Sequence, residues 1–340
     1  MLIPILLFAV GLVMLIKGGD WFVDGATGIA RRFKLPEVLI GATVVSIGTT
    51  LPEVMVSAGA ALGGSGEIAY GNAIGSIICN TSLIAAITIA IKPCKVERKA
   101  LILPAIFFTV AAGFYVGISY ITGYFDRWVG ISLLSLFVVY MTVTVINMLR
   151  SPKEDHDEVE TVAETHEKLS FGMELWAQVR GKRTSVIREI ILLVVGAAVI
   201  AFGADFLVDN GIIIAEKLHV PESVIALTFV ALGTSLPELV TAITSLAKGH
   251  GALSLGNIIG ANLFNLVLVS GVSTLLSPFP VPGSSQVFGV NTSLAVDIPI
   301  MFAVMSIMVF PALFRGKLSR VQGILLLIIY ALFCVFQFTI

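Results

Sequence analysis

Long apolar runs recur along almost the whole of this 340-residue chain. A helix needs about 20 apolar residues to cross the hydrocarbon layer of a membrane. Only 13% of the residues are charged, against roughly 25% in a soluble domain, and the runs are too continuously apolar for the alternating strands of a barrel. The sequence therefore predicts an all-α integral membrane protein of about ten transmembrane helices, at residues 2–27, 37–62, 67–91, 100–122, 128–149, 190–215, 222–247, 252–276, 292–314 and 321–340.

The distribution of Lys and Arg predicts the orientation in the membrane. With the amino terminus outside, 18 of the 21 basic residues fall on the inner side and only Arg127 and Lys217 outside. Cytoplasmic loops carry the excess of basic residues in membrane proteins. We therefore expect a multi-pass protein of the plasma membrane with both termini outside and the loop 150–189 in the cytoplasm.

The chain contains an internal duplication. Residues 36–80 and 221–265 align without a gap at a shift of 185 residues and share 17 identities in 45 positions. The shared segments include Gly48-Thr49-Thr50-Leu51-Pro52-Glu53 with Gly233-Thr234-Ser235-Leu236-Pro237-Glu238, and Gly71-Asn72 with Gly256-Asn257.

Each copy contains five predicted spans, an odd number, so the second copy must enter the membrane from the opposite side. We expect two inverted five-helix repeats, at 1–149 and 190–340, with their duplicated motifs at 36–80 and 221–265. Inverted repeats are a recurring design of secondary transporters, which place the substrate site near the bilayer midplane on broken helices. Pro52, which follows a long apolar stretch, predicts such a break at Gly48-Thr49.

Glu53 and its duplicate Glu238 are the residues that most need an explanation. Glu53 lies roughly 16 residues, or about 24 Å of helix, from the start of its span, and an ionised carboxylate at that depth costs roughly 2.5 kcal/mol or more. Apart from Lys248, no Lys or Arg lies in the four spans that carry the duplicated motifs. The remaining partners are a proton, hydrogen bonds or a metal cation.

The surrounding residue types favour a hard cation. Both motifs supply oxygen ligands and neither repeat centre contains His. Calcium and sodium accept carboxylate, hydroxyl and carbonyl oxygens, zinc and copper prefer nitrogen or sulfur, and magnesium sheds its water reluctantly. The candidate ligands beside the two glutamates are Thr49, Thr50, Thr234, Ser235, Ser76, Asn80 and Asn265.

The duplicated Gly-Thr-x-Leu-Pro-Glu and Gly-Asn-x-Ile-Gly segments resemble the alpha repeats of sodium/calcium exchangers of the prokaryotic type, in the calcium/cation antiporter superfamily. The resemblance implies calcium export driven by sodium entry through four clustered cation sites. It implies that Glu53 and Glu238 bind both ions, that the Thr and Ser residues of the motifs, with Asn80, complete the set, and that the carbonyls of Ser46 and Ala231 contribute.

Two positions depart from the pattern of that family. Ala261 stands where many members have Ser, which removes one oxygen from a flanking sodium site, and Asn265 stands where many have Asp. One acid fewer argues against potassium co-transport, and the missing hydroxyl leaves the sodium stoichiometry open.

The leading hypothesis from the sequence is therefore calcium/sodium antiport by alternating access. Proton/calcium exchange is the alternative, because a carboxylate can carry a proton as readily as a sodium ion. A channel would not need two mirror-related gates, and an enzyme is disfavoured because no cluster of catalytic residues lies at midplane. We expect the lipid bilayer and the transported calcium and sodium ions as partners, with no prosthetic group and no nucleic acid; a monomer is the simplest expectation.

Overall fold

The computed structural model describes residues 2–33, 35–93, 96, 98–150, 186–217, 233–282, 286–287 and 289–339. Nearly all of these residues are helical. The helices are α1 (Leu2–Phe33), α2 (Glu37–Leu62), α3 (Gly66–Ile91), α4 (Arg98–Thr122), α5 (Arg127–Arg150), α6 (Val186–Lys217), α7 (Leu236–Ala247), α8 (Gly251–Leu276), α9 (Ser293–Arg315) and α10 (Arg320–Thr339).

Nine of the helices in the described residues are long and apolar enough to cross a membrane, and the described part of α7 is a shorter apolar helix. The predicted all-α membrane fold is confirmed. The first part of the predicted seventh span, 222–232, lies outside the described residues, as does most of the predicted loop 150–189.

Several helices extend beyond the predicted apolar runs. Helix α1 continues to Phe33 instead of ending near residue 27, and α6 begins at Val186, inside the loop predicted at 150–189. The prediction stops where hydropathy falls, but helical hydrogen bonding continues into the aqueous interface. Arg31 and Arg32 lie in the last turn of α1, where positive charge is favourable to the helix dipole.

Helices α1 and α6 form an antiparallel pair with a glycine seam. A Cβ added at Gly11 would lie 2.8 Å from the carbonyl oxygen of Gly203, and one at Gly25 would lie 2.6 Å from the backbone nitrogen of Leu193. From the other side, a Cβ at Gly196 would lie 2.5 Å from the backbone nitrogen of Phe22. The two backbones therefore approach closely, and these equivalent helices of the two copies run in opposite directions.

Helix α2 is irregular one turn before the position that the sequence predicted. Residues Gly41–Val45 form a π-helical segment, whereas Ser46–Leu62 is continuous α-helix through Pro52. The predicted break at Gly48-Thr49 is therefore absent in this copy, because one missing N–H at Pro52 is accommodated within the helix. The π segment is supported by Tyr140 Oη on α5, which donates to the carbonyl of Ala42 at 3.0 Å.

Helices α3 and α8 contain matching π segments near their centres. The segment in α3 spans Asn80–Ala85 and the one in α8 spans Asn265–Val269, so both begin at the duplicated asparagine. In α8 the following residue, Ser270, donates to the carbonyl of Asn265 at 3.2 Å. These two helices are the most buried of the long helices, and α2 and α7 pack against them.

The two copies are tied together at both ends of the bundle. At one end Lys248, beyond α7, contacts Asp24 of α1 at 2.9 Å and Asp20 at 3.3 Å, and His250 contacts Glu37 at 2.8 Å. These contacts link α1 and α2 of the first copy to the connection between α7 and α8 of the second.

At the other end a short antiparallel ladder joins the copies. Strand β1 (Tyr124–Phe125) pairs with β2 (Phe279–Pro280), and Phe125 stacks on Tyr115 with ring centroids 4.6 Å apart. A second ladder, β3 (Gln286–Val287) with β4 (Val290–Asn291), lies within the connection from α8 to α9.

Candidate functional site

Glu53 and Glu238 lie next to each other in the interior of the bundle. Both side chains are 0% exposed. The Glu238 carboxyl also lies beside Thr49 and Thr50. Within the described residues, none of the four carboxylate oxygens has a hydrogen-bond partner, and neither group takes part in a salt bridge. Buried polar groups are nearly always satisfied, so these oxygens require a partner, and a bound cation can be that partner.

The second copy holds its glutamate at a helix start. Gly233, Thr234 and Ser235 form a turn, α7 begins at Leu236, and Glu238 lies in its first turn. The amino terminus of a helix carries a partial positive charge that favours a nearby carboxylate. Glu238 therefore follows a turn at Gly233-Thr234-Ser235, whereas Glu53 lies inside a continuous helix.

Each motif threonine contacts an asparagine of the other copy. Thr49 Oγ1 lies 3.3 Å from Asn257 Oδ1, and Thr234 Oγ1 lies 3.0 Å from Asn72 Oδ1. The two contacts are equivalent under the 185-residue shift. The site is therefore assembled across the two copies, with each copy supplying a hydroxyl to the amide of the other.

The two equivalent contacts differ in exposure. Thr49 is 2% exposed and Asn257 is 0% exposed, whereas Thr234 and Asn72 are half-buried. One flank of the glutamate pair is therefore sealed, and the other is partly open.

A second set of hydroxyls is present on one flank only. Ser235 Oγ lies 3.5 Å from Ser76 Oγ, so α7 and α3 bring two hydroxyls together. The equivalent positions on the other flank are Thr50 and Ala261. Thr50 Oγ1 is buried and has no hydrogen-bond partner in the described part of the chain, as expected when the opposing hydroxyl is replaced by a methyl group.

Asn80 and Asn265 add unpartnered amides. Both are 0% exposed, and in the described residues neither amide oxygen nor amide nitrogen has a partner. Each begins a π segment, and such segments occur frequently at functional sites.

The structure brings together Glu53, Glu238 and the hydroxyls predicted around them. Ala231 lies outside the described residues. Sequence reasoning did not include Asn72 or Asn257 among the ligands, although both belong to the duplicated motif; their recurrence at the common 185-residue shift was the signal that could have found them.

This arrangement can hold hard cations. The two carboxylates and the hydroxyls of Thr49 and Thr50 lie together in the buried interior, and no group of three or more His, Cys, Asp and Glu side chains that could hold a metal occurs in the described residues. Calcium and sodium are the cations suited to such an oxygen set. The fold and the site together define a multi-pass membrane transporter of cations, built from two inverted repeats.

Comparison with known proteins agrees with this class. The family model described as sodium/calcium exchanger protein matches residues 3–146 and 188–339. The uncharacterized membrane protein MJ0091 of Methanocaldococcus jannaschii is 33% identical over 327 residues, covering 95% of this chain and 94% of that protein. Sodium/calcium exchanger MaX1 of Methanosarcina acetivorans is 31% identical over 365 residues, covering 98% of each.

The fold is similar to a solved structure of the sodium-calcium exchanger NCX_Mj soaked with Na⁺ and Sr²⁺. The TM-score is 0.77 at 30% sequence identity, and 97% of each chain is covered. The chain belongs to the sodium/calcium exchanger protein family. It is an integral membrane antiporter of that family and not an enzyme.

Proposed function

We propose that this protein exchanges sodium for calcium across the plasma membrane by alternating access. The observation that carries the proposal is the adjacent pair of buried carboxylates, Glu53 and Glu238, whose four oxygens have no partner in the described residues. Two neighbouring carboxylates in a low-dielectric interior repel each other strongly unless positive charge lies between them. The similarity to sodium/calcium exchanger MaX1 and to the sodium-calcium exchanger NCX_Mj supports sodium and calcium as the ions.

Coupling follows from competition for the same carboxylates. A loaded site has much of its negative charge neutralised and can be exposed alternately to the two sides. An empty site leaves buried charge unpaired, which is costly in a membrane interior. The sealed Thr49–Asn257 flank and the half-buried Thr234–Asn72 flank are what one state of such a cycle requires.

The repeats and their orientation belong to the same proposal. Residues 1–149 and 190–340 form the two halves, joined by the cytoplasmic loop 150–189, and both termini lie outside. The contacts of Lys248 and His250 then lie at the cytoplasmic end. The partly open flank lies nearer the outer end, because Asn72 follows closely on the start of α3 at that end.

The test is calcium flux into proteoliposomes under imposed gradients. Purified protein is reconstituted, and uptake of radioactive calcium is measured with a sodium, a proton or a potassium gradient of equal size. We expect uptake with the sodium gradient only. Uptake driven by the proton gradient, with none driven by sodium, would replace the proposal with its alternative.

That alternative is proton/calcium exchange, and one observation favours it. Thr50 Oγ1 faces no second hydroxyl because Ala261 has none, so one flank offers fewer oxygens for sodium. A proton needs only a carboxylate oxygen and is insensitive to that loss.

A further inference from the structure

The two copies differ at two positions that carry a hydroxyl group in the first copy only. In the first copy the equivalent positions are Ser46 and Ser76, and in the second they are Ala231 and Ala261. Ser76 approaches Ser235 on one flank of the glutamate pair. The other flank lacks a hydroxyl at Ala261.

Ser46 of α2 lies against this part of α8. Its side chain is 0% exposed, and a Cβ added at Gly260 would lie 2.3 Å from Ser46 Oγ. The Ser46 hydroxyl therefore reaches the backbone of α8 at the residue that precedes Ala261. Helix α2 therefore places a hydroxyl against α8 one residue before Ala261.

The Ser46 hydroxyl belongs to a group of oxygens. Ser46 Oγ is 3.2 Å from Asn257 Oδ1, and that amide oxygen is 3.3 Å from Thr49 Oγ1. Thr49 Oγ1 is in turn 3.5 Å from the carbonyl oxygen of Ser46. Four oxygens from three residues thus lie together on the sealed flank.

The hydrogen bonds of Ser46 leave it able to bind a cation. Its hydroxyl has one proton, which it donates to the carbonyl of Gly41 at 2.8 Å or of Asn257 at 2.9 Å. A hydroxyl also has two lone pairs. Donation to a backbone carbonyl fixes the side chain and turns lone-pair density away from that carbonyl.

We propose that Ser46 Oγ is a ligand for a transported sodium ion and replaces the hydroxyl that Ala261 lacks. The inference rests on the proposed function, since it names a ligand of the same site. The neutral oxygens of Ser46, Thr49 and Asn257 suit a monovalent hard cation better than a divalent one, which takes more of its ligands as carboxylates. Ser46 then supplies a hydroxyl on the sealed flank, as Ser76 does on the other.

The experiment is a hydroxyl swap between the two helices. Ser46→Ala, Ala261→Ser and the double variant are reconstituted, and calcium flux is measured as a function of sodium concentration. We expect Ser46→Ala to raise the half-activating sodium concentration about tenfold, the effect of one lost interaction of about 1.4 kcal/mol. The double variant restores it to within about threefold, because the hydroxyl returns from the other helix.

Two further variants separate ligation from folding. Ser46→Cys keeps a similar size and a weak donor for the backbone, but sulfur is a poor ligand for a hard cation, so it loses sodium affinity while retaining thermal stability. Ser119→Ala is the matched control: Ser119 is 0% exposed and bonds the carbonyl of Tyr115 at 2.8 Å in α4. It leaves the sodium dependence unchanged.

Sodium binding is also measured without transport, as the rise in unfolding temperature of the purified variants with added sodium. The inference is overturned if Ser46→Ala and Ser46→Cys retain the wild-type sodium dependence, or if Ala261→Ser fails to rescue Ser46→Ala. Either result assigns Ser46 only to packing of α2 on α8. Failure of the proposed function is distinguishable, because it appears as absent sodium-driven flux in the unmodified protein.

Discussion

The two glutamates differ from most buried carboxylates in having each other as their nearest charged neighbour. Glu53 and Glu238 are fully buried and side by side, and their oxygens are unpartnered in the described residues. Removal of one charge therefore changes the affinity of the site for cations more than it changes the stability of the empty protein. The two effects can be measured separately.

Glu53→Gln and Glu238→Gln each reduce sodium-driven calcium flux by at least about 100-fold, because each removes one of the two carboxylates that neutralise the bound cation; that factor corresponds to about 2.8 kcal/mol. Flux is measured in proteoliposomes, and folding by the elution profile in detergent. The variants keep the wild-type profile, since the amide is close in size and relieves repulsion in the empty site. Flux above half of wild type in either variant contradicts the role of that residue.

Asn72 and Asn257 are equivalent by sequence but are not held equally. The amide nitrogen of Asn72 donates to Ser57 Oγ at 2.8 Å and to the carbonyl of Glu53 at 3.3 Å. Position 242, the equivalent of Ser57, is Ala, and the amide nitrogen of Asn257 has no partner in the described residues. Asn72 is therefore fixed in orientation to a degree that Asn257 is not.

We expect Asn72→Ala to lower the free energy of unfolding by about 1–3 kcal/mol, because it leaves Ser57 and Thr234 without their partners. Asn257→Ala removes fewer contacts and costs less. The comparison is made by thermal unfolding of both variants without added calcium. Equal destabilisation, or a larger effect at Asn257, contradicts the difference inferred from the contacts.

At the scale of the helices, α1 and α6 depend on the absence of side chains. Gly11, Gly18 and Gly25 recur at intervals of seven residues on α1, and each faces backbone atoms of α6 at distances that no Cβ tolerates without movement. In lipid, where the hydrophobic effect does not drive helices together, such close backbone packing supplies much of the association.

Gly25→Ala lowers the unfolding temperature, because its Cβ would lie 2.6 Å and 2.7 Å from backbone atoms of Leu193 and Glu189. Overpacking of this kind costs about 1–3 kcal/mol. The control is Gly113→Ala in α4, where no atom lies within 4 Å of the added Cβ. If Gly25→Ala unfolds at the same temperature as the control, close packing of α1 on α6 at Gly25 does not contribute to stability.

Helix number, helix type and the duplication were predictable from the sequence, because apolar length and sequence identity report them directly. The location of irregular backbone was not. Pro52 lies in the helix that is irregular, but the irregular segment is the π-helical turn at Gly41–Val45. A hydrogen bond from Tyr140 on α5 to the carbonyl of Ala42 supports that turn. Such support depends on tertiary packing, which local sequence does not encode.

The same limit applies to the candidate site. Residue type and depth singled out Glu53 and Glu238, since buried carboxylates require partners whatever the packing. Asn72 and Asn257 were noted only as motif residues, because their side chains become part of the site through the way one copy is rotated against the other. That rotation is a property of the assembled bundle and not of either copy.

At the scale of the whole molecule, the two ends of the bundle are tied by different physical interactions. Lys248 bonds Asp24 and Asp20 through side chains that are 27%, 43% and 37% exposed. The opposite end uses backbone hydrogen bonds between β1 and β2 and the packing of Phe125 on Phe279. Salt screens the first kind of tie and leaves the second largely unaffected.

Lys248→Met lowers stability by no more than about 1 kcal/mol, because exposed ion pairs contribute little. The decrease in unfolding temperature is present in low salt and absent in about 1 M salt, where the screening length falls to about 3 Å. The control is Lys217→Met, which removes a positive charge at the carboxyl-terminal end of α6. A decrease that persists in high salt contradicts an electrostatic tie.

Each half of the molecule contributes a residue to the other half's side of the site: Thr49 contacts Asn257, and Thr234 contacts Asn72. Neither half alone therefore contains a complete ion-binding site. Produced as two separate polypeptides, the halves would be obligate subunits, each inactive alone, and activity would return only when both are made in the same membrane.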